Sequence, residues 1–278
     1  MDRKRKWMDV PEGHDTALNY AVTERDRSVL DMVEEAVAHK QAVLAYQPVV
    51  TTADPSRPAF HEGLIRVLDD TGRIIPARDF IGAIETSETG RIIDCLALEK
   101  GLRMLSRHPD LRLSLNMSAR SIGYKRWIRT LNRGLNQDST VGERLILEIT
   151  ETSAMLVPEL VTGFMQDFQK KGVSFALDDF GAGFTSFRYL RDFYFDIVKI
   201  DGQFIRGIAR NPDNQVLTGA LIAIARQFDM LTVAESVETA QDADYLAALG
   251  FECLQGYFFG APTVSPPWAK SQSHQASA

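Results

Sequence analysis

Two periods of apolar residues alternate along the chain. Eight short runs rich in β-branched, leucine and aromatic residues recur: "AVLAYQPVV", "FHEGLIRVL", "LRLSLNMS", "RLILEIT", "SFALDDF", "DIVKID", "LTVAESV" and "CLQGYFF". Helical patterns intervene. One is "PELVTGFMQDFQKKG" (158–172), with proline near its start and glycine just past its end; another is "TAQDADYLAALG" (239–250), also closed by glycine. Strand and helix alternating eight times predict a (β/α)8 barrel of the TIM type rather than an open doubly wound sheet. No glycine fingerprint of a dinucleotide-binding fold follows any of these runs, which counts against the open sheet. Residues 1–25 lack periodicity and read as a lead-in segment. The barrel is expected over 26–264, and the Pro/Ser/Gln-rich stretch 265–278 as a disordered tail.

The period-2 pattern inside the strands separates two faces. In "LRLSLN", Leu111, Leu113 and Leu115 share one face, and Ser114 and Asn116 the other. In "SFALDD", Phe175 and Leu177 oppose Ser174, Ala176 and Asp178. The apolar faces are expected to pack under the helices while the others line the barrel. A polar residue comes late in nearly every strand: Glu62, Asn116, Glu148, Asp178 with Asp179, Lys199, Glu235 and Gln255. That places them at the C-terminal mouth, where barrel active sites sit. Solvated loops would account for a few polar strand ends. They do not account for so many carboxylates that follow apolar residues.

Composition narrows the chemistry. With 278 residues, 45% of them hydrophobic, the chain suits one barrel of about 250 residues. A formal net charge of -6 offers no overall basic field for a DNA or RNA polymer, so a phosphate ligand would need local cations or metal ions. Cys95 and Cys253 have no metal-type spacing, and the sequence is expected to be a reduced, cytoplasmic protein. No stretch approaches the roughly 18 apolar residues of a membrane span. The charged start "MDRKRKWMDV" has no apolar core behind it and is not expected to be a signal peptide.

Carboxylates converging on one pocket raise each other's pKa unless cations neutralise them. Oxygen-rich sites without histidine suit hard ions such as Mg²⁺ or Mn²⁺. His14, His39, His61, His108 and His274 form no ligand-spaced cluster, so a histidine-rich zinc site is not expected. Metal charge would make the neighbouring Asp178 and Asp179 tolerable, with Asp178 facing the lumen and Asp179 turning into the loop. Gly181 and Gly183 would let the backbone turn beside them. Two divalent ions side by side serve in-line phosphoryl displacement. Arg66, four residues after Glu62 on the same strand face, could hold a phosphate or stand as an ordinary surface arginine. Lys199, after an apolar run, could orient the attacking water.

"EGLIR" (62–66), "NMS" (116–118), "EITE" (148–151), "DDFGAGFTS" (178–186), "KID" (199–201), "AESVE" (234–238) and "QGYFFGAP" (255–262) occur in this order. With these motifs the chain resembles the EAL-domain cyclic-di-GMP phosphodiesterases of bacteria over some four-fifths of its length. The resemblance implies a modified barrel whose first strand is antiparallel to the others. It also implies hydrolysis of cyclic-di-GMP to linear pGpG with two divalent cations, Mg²⁺ or Mn²⁺; the alternative is a receptor or scaffold that binds without cutting. By motif, Glu62, Asn116, Glu148 and Asp178 would bind metal, Asp179 would be shared with the second ion, and Glu235 would be a ligand or the general base. Lys199 would position water and Glu151 anchor the loop after the aspartates. Arg66 would meet a phosphate, with Gln47, Leu64, Gln255 and Pro262 near the ligand. The signature here reads Glu-Gly-Leu rather than Glu-Ala-Leu, and Ala182 and Ser236 stand where other residues are often found. A homodimer is expected through "FTSFRYLRDFYFD" (184–196), which carries six aromatics.

Overall fold

The computed structural model describes residues 17–183 and 190–270. Among them nine strands form one sheet: β1 (Ala42–Thr51), β2 (Pro58–Leu68), β3 (Ile74–Ile75), β4 (Leu113–Asn116), β5 (Leu145–Thr150), β6 (Ser174–Phe180), β7 (Ile197–Ile200), β8 (Leu231–Ala234) and β9 (Cys253–Gln255). Their order is β1-β9-β8-β7-β6-β5-β4-β2-β3, and β1 also pairs with β2, so eight strands close into a barrel. β2 and β4 to β9 pair in parallel, whereas β1 runs antiparallel to β9. The eight strands read from the pattern are the eight of the barrel, and the first is reversed as the resemblance implied. β3 escaped that reading because two residues carry no period. It follows a turn in which Asp69 Oδ1 accepts from the amides of Thr71 and Arg73, each at 2.9 Å.

Ten helices are described: α1 (Ala17–Ala38), α2 (Ile81–Ile84), α3 (Glu88–Arg107), α4 (Lys125–Gln137), α5 (Glu151–Leu156), α6 (Pro158–Gln169), α7 (Gly202–Ile205), α8 (Pro212–Gln227), α9 (Ala240–Leu249) and α10 (Pro267–Lys270). Sequence signals fix their ends. Pro158 opens α6. Thr239 caps α9 by accepting from the amide of Asp242, and Gly250 closes it at φ 98°. Two boundaries need correction. α1 begins at Ala17, inside the stretch read as an aperiodic lead-in, and near its end Val33, Ala36 and Val37 are buried on one face. α10 lies inside the stretch read as a disordered tail, and Trp268 packs edge-on against Tyr46 (5.4 Å) and His61 (4.3 Å).

The chain divides into two compact units. One comprises the described residues up to Val43 and those from Arg66 to Ile93. Within it, the Leu68 amide donates to Gln41 O at 2.9 Å. The other runs from Leu44 to Ile65 and from Asp94 onward. Its strands present two apolar layers. Leu113, Leu115, Leu147, Phe175, Leu177 and Val198 belong to the large core that includes helix residues such as Trp127 and Phe164. Val49, Phe60, Ile146, Ala176, Ile197, Val233 and Cys253 form a second, smaller cluster on the opposite faces of the same strands. It fills the lumen as a dry floor. Burying a side chain of this size stabilises by about 1.5–3 kcal/mol.

Candidate active site

A polar layer stands directly above that floor. Phe60 is followed two residues on by Glu62, Ile146 by Glu148, Ala176 by Asp178, Ile197 by Lys199, Val233 by Glu235 and Cys253 by Gln255. A step of two keeps the same face of a strand. β1 runs the other way, so its contribution, Gln47, precedes Val49. Asn116 sits in register with Glu148.

Lys199 is buried at the centre of this layer. Its Nζ lies 2.7 Å from Glu235 Oε1, 2.8 Å from Glu148 Oε2, 3.1 Å from Asp178 Oδ1 and 3.4 Å from Glu62 Oε2. An ammonium has three N–H groups, so four carboxylates oversubscribe it. Glu62 also accepts from Asn116 Nδ2 at 2.7 Å and Gln255 Nε2 at 2.5 Å. Gln255 Nε2 approaches Gln47 Oε1 at 3.3 Å, and Gln47 Nε2 donates to Gly260 O at 3.1 Å.

The charge balance follows from these contacts. Burial opposes the Glu62 charge, but Lys199 and the bonds from Gln255 and Asn116 outweigh it and hold the carboxyl below its ordinary range. For Glu148, burial wins over Lys199, and with Glu62 and Asp178 adding repulsion the carboxyl is pushed up to about 8. Burial, then Asp178 and Asp201, raises Asp179 to about 6. Burial likewise drives Glu235 well up despite Lys199. Burial works against the Lys199 charge, yet the surrounding carboxylates hold it well above the ordinary lysine range. The site therefore carries more negative charge than Lys199 offsets.

Neighbouring side chains on a regular strand point to opposite faces. Asp178 and Asp179 escape this because the pairing of β6 with β7 shifts between Leu177 and Phe180, and Asp179 adopts φ 55°. A left-handed backbone costs a non-glycine residue about 1–2 kcal/mol, and aspartate tolerates it better than most. The kink lets both carboxylates serve one place: oxygens of Asp178, Asp179 and Glu235 all lie within 4.8 Å of one another. Gly181 follows at φ 93°, where a Cβ would stand 2.8 Å from the Phe204 ring. Its amide donates to Glu151 Oε2 at 3.1 Å. Glu151 is buried at the start of α5, so it ties this turn to a helix end.

The donor set fits hard divalent ions. Glu148 Oε1 is buried without a hydrogen-bond partner among the described residues. Asn116 uses its amide N–H on Glu62, which leaves its carbonyl oxygen as the ligating atom. Glu62, Asn116, Glu148, Asp178, Asp179 and Glu235 offer only oxygens, the chemistry of Mg²⁺ and Mn²⁺ sites.

Gln47, Glu62, Leu64, Glu235 and Gln255 line one cavity of about 240 Å³. Pro262 lies next to Thr263, whose backbone pairs with Tyr46. Arg66 lies on β2, in the smaller unit. Thr185 and Ser186, in the loop that Glu151 is expected to anchor, lie outside the described residues. So do three of the six aromatics behind the expected dimer; of the others, Phe193 and Phe195 are buried and Tyr194 is exposed. Sequence reasoning missed two groups. Asp201 closes the "KID" motif, accepts from the Gln203 amide at 2.7 Å and presses on Asp179. Arg206 lines the cavity from beyond α7, where no periodic signal marks it.

The profile of the EAL domain matches residues 30–262. The chain belongs to the EAL-domain family. Among its relatives, the cyclic di-GMP phosphodiesterase PdeB of Shewanella oneidensis is 31% identical over 234 residues, covering 83% of this chain and 27% of PdeB. The signaling protein YkoW of Bacillus subtilis is 32% identical over 237 residues, covering 83% of this chain and 29% of YkoW. The chain thus spans less than a third of these curated relatives' length. The solved structure of the PaMucR phosphodiesterase in complex with c-di-GMP is 29% identical, with a TM-score of 0.76, and the match covers 87% of this chain and 99% of that one. The EAL-domain barrel with its reversed first strand is the fold described above.

Proposed function

We propose that this EAL domain hydrolyses cyclic-di-GMP to linear pGpG. The observation that carries the reading is the acidic ring itself. Four carboxylates on or just after four strands surround one buried ammonium, with Asp178, Asp179 and Glu235 converging on a single point. Relatives and a solved structure whose names give cyclic di-GMP phosphodiesterase supply the substrate class.

Glu62, Asn116, Glu148, Asp178, Asp179 and Glu235 would hold two divalent cations, which when bound activate water and offset charge on the phosphate. A phosphodiester entering this ring of carboxylates would otherwise meet strong repulsion. Glu235 is the proton acceptor: its carboxylate is held next to Lys199 at 2.7 Å and lines the cavity the substrate enters. Lys199 orients Glu235 and Glu148, and the longest of its contacts, 3.4 Å to Glu62, is the one it can exchange for a water. Gln255 and Asn116 keep Glu62 ionised and fixed. Leu64 supplies an apolar contact on the cavity wall.

Purified protein incubated with cyclic-di-GMP and Mg²⁺ or Mn²⁺ should yield pGpG by chromatography and lose activity in chelator. Tight binding with no product would make the chain a receptor instead.

A further inference from the structure

Among the described residues, Arg206 is the single cation lining the cavity that Glu62 and Glu235 share. It follows the short helix that begins just after Lys199, and its partners follow Glu235. Its Nη2 donates to Ser236 Oγ at 3.0 Å, and its Nε lies 3.7 Å from Glu238 Oε1. Ser236 is one of the few non-glycine residues with a left-handed backbone, at φ 57°. Strained positions of this kind persist where the surroundings over-determine them. Gly202 completes the arrangement, since a Cβ there would collide with Ser236 Oγ and stand 3.1 Å from Arg206 Nη2. The local backbone makes room for this hydroxyl and its arginine.

We propose that Arg206 is a specificity-determining residue that reads the O6/N7 edge of a guanine base. This rests on the cyclic-di-GMP reading above. A guanidinium has five donors in a rigid fork. Glu238 stands at the Nε side and Ser236 accepts from one Nη2 N–H, which leaves the Nη1 N–H groups and the second Nη2 N–H as a two-donor fork. Guanine offers two acceptors at O6 and N7, and bidentate arginine is their commonest partner. Adenine places an amino donor where O6 stands and would leave one prong unpaired. A phosphate is a poorer match, because Glu238 beside the guanidinium offsets the positive charge a phosphate would need.

The test compares Kd for cyclic-di-GMP and for its diadenylate counterpart, by calorimetry in Mg²⁺, for Glu235→Gln, which keeps binding with little turnover, alone and combined with Arg206→Ala or Ser236→Gly. A bidentate base contact is worth about 1–3 kcal/mol of discrimination, so Arg206→Ala should cut the guanine preference about 5- to 150-fold. Ser236→Gly, which keeps the arginine but frees it, should cut it by less. Arg206 is exposed and Ser236 half-buried, and unchanged melting curves would confirm intact folds. An unaltered ratio overturns the assignment. So does an equal loss for both dinucleotides, which would mark a phosphate contact. If the wild type binds but does not cleave cyclic-di-GMP, the reaction reading fails while the binding ratio still decides the role of Arg206.

Discussion

Lys199 has three donors for four carboxylates, and each substitution at the ring should report that imbalance. Breaking a buried ion pair by removing one partner costs about 3–5 kcal/mol. Lys199→Met should therefore lower the melting temperature sharply in chelator, and millimolar Mg²⁺ should recover much of the loss. Equal melting with and without Mg²⁺ would mean that the carboxylates do not take up the ion. Glu235→Gln keeps the side-chain shape and removes the basic oxygen. It should reduce hydrolysis by about 10²- to 10⁴-fold, the usual worth of general-base catalysis, with binding nearly retained. Activity within about threefold of wild type would remove Glu235 from that role. The four carboxylates around Lys199 were legible from sequence, because each follows a floor residue at a step of two. The way Asp178 and Asp179 come together was not, since it depends on a register shift between β6 and β7 that neither strand shows alone.

Among the elements, the junction of β6 with the turn at Gly181 is the most constrained. Gly181 is left-handed and walled by Phe204, and its amide depends on a carboxylate from the start of α5. Glu151→Ala should lower turnover at least tenfold and weaken Mg²⁺ dependence, while the unfolding free energy falls by only the ~1–3 kcal/mol of one unsatisfied buried group. Wild-type kinetics in that variant would exclude the anchor. Strand identity was readable here because floor, rim and outer faces follow the period of two. α6 and α9 were readable from proline and glycine at their ends. The start of α1 was not, because its first residues lack the apolar period that Val33, Ala36 and Val37 show near its end, and β3 is too short to show any pattern. The altered signature residue Gly63 belongs to this scale. A Cβ there would stand 2.8 Å from Leu115 Cδ2, in the layer opposite Glu62. Gly63→Ala should therefore cost about 1 kcal/mol or more of stability from overpacking, read by denaturant melts, and leave kcat within a few-fold.

At the scale of the molecule, a net charge of -6 is modest, but the barrel gathers several of its acids around one ammonium. Strand–helix alternation made the barrel legible; the excess of acids at its mouth made the chemistry legible; the strength of their coupling needed distances. That coupling sets the pH response of the metal-free protein. Glu148 is held up to about 8 and Asp179 to about 6, both above their ordinary values, and Glu235 is also raised well above its own. A carboxyl whose folded pKa is raised binds more protons folded than unfolded, so its contribution to stability is full below the unfolded pKa and lost as pH rises through the folded one. In chelator, the melting temperature should therefore fall between pH 6 and pH 8.5. One pKa unit corresponds to about 1.4 kcal/mol, so a drop of several degrees is expected even after other groups dilute it. Mg²⁺ should flatten the curve, since a bound cation replaces the proton as counter-charge. Glu148→Gln should flatten it in chelator as well, by removing the group that titrates near pH 8. A melting temperature in chelator that stays level or rises from pH 6 to 8.5 would show that Lys199 alone neutralises the ring.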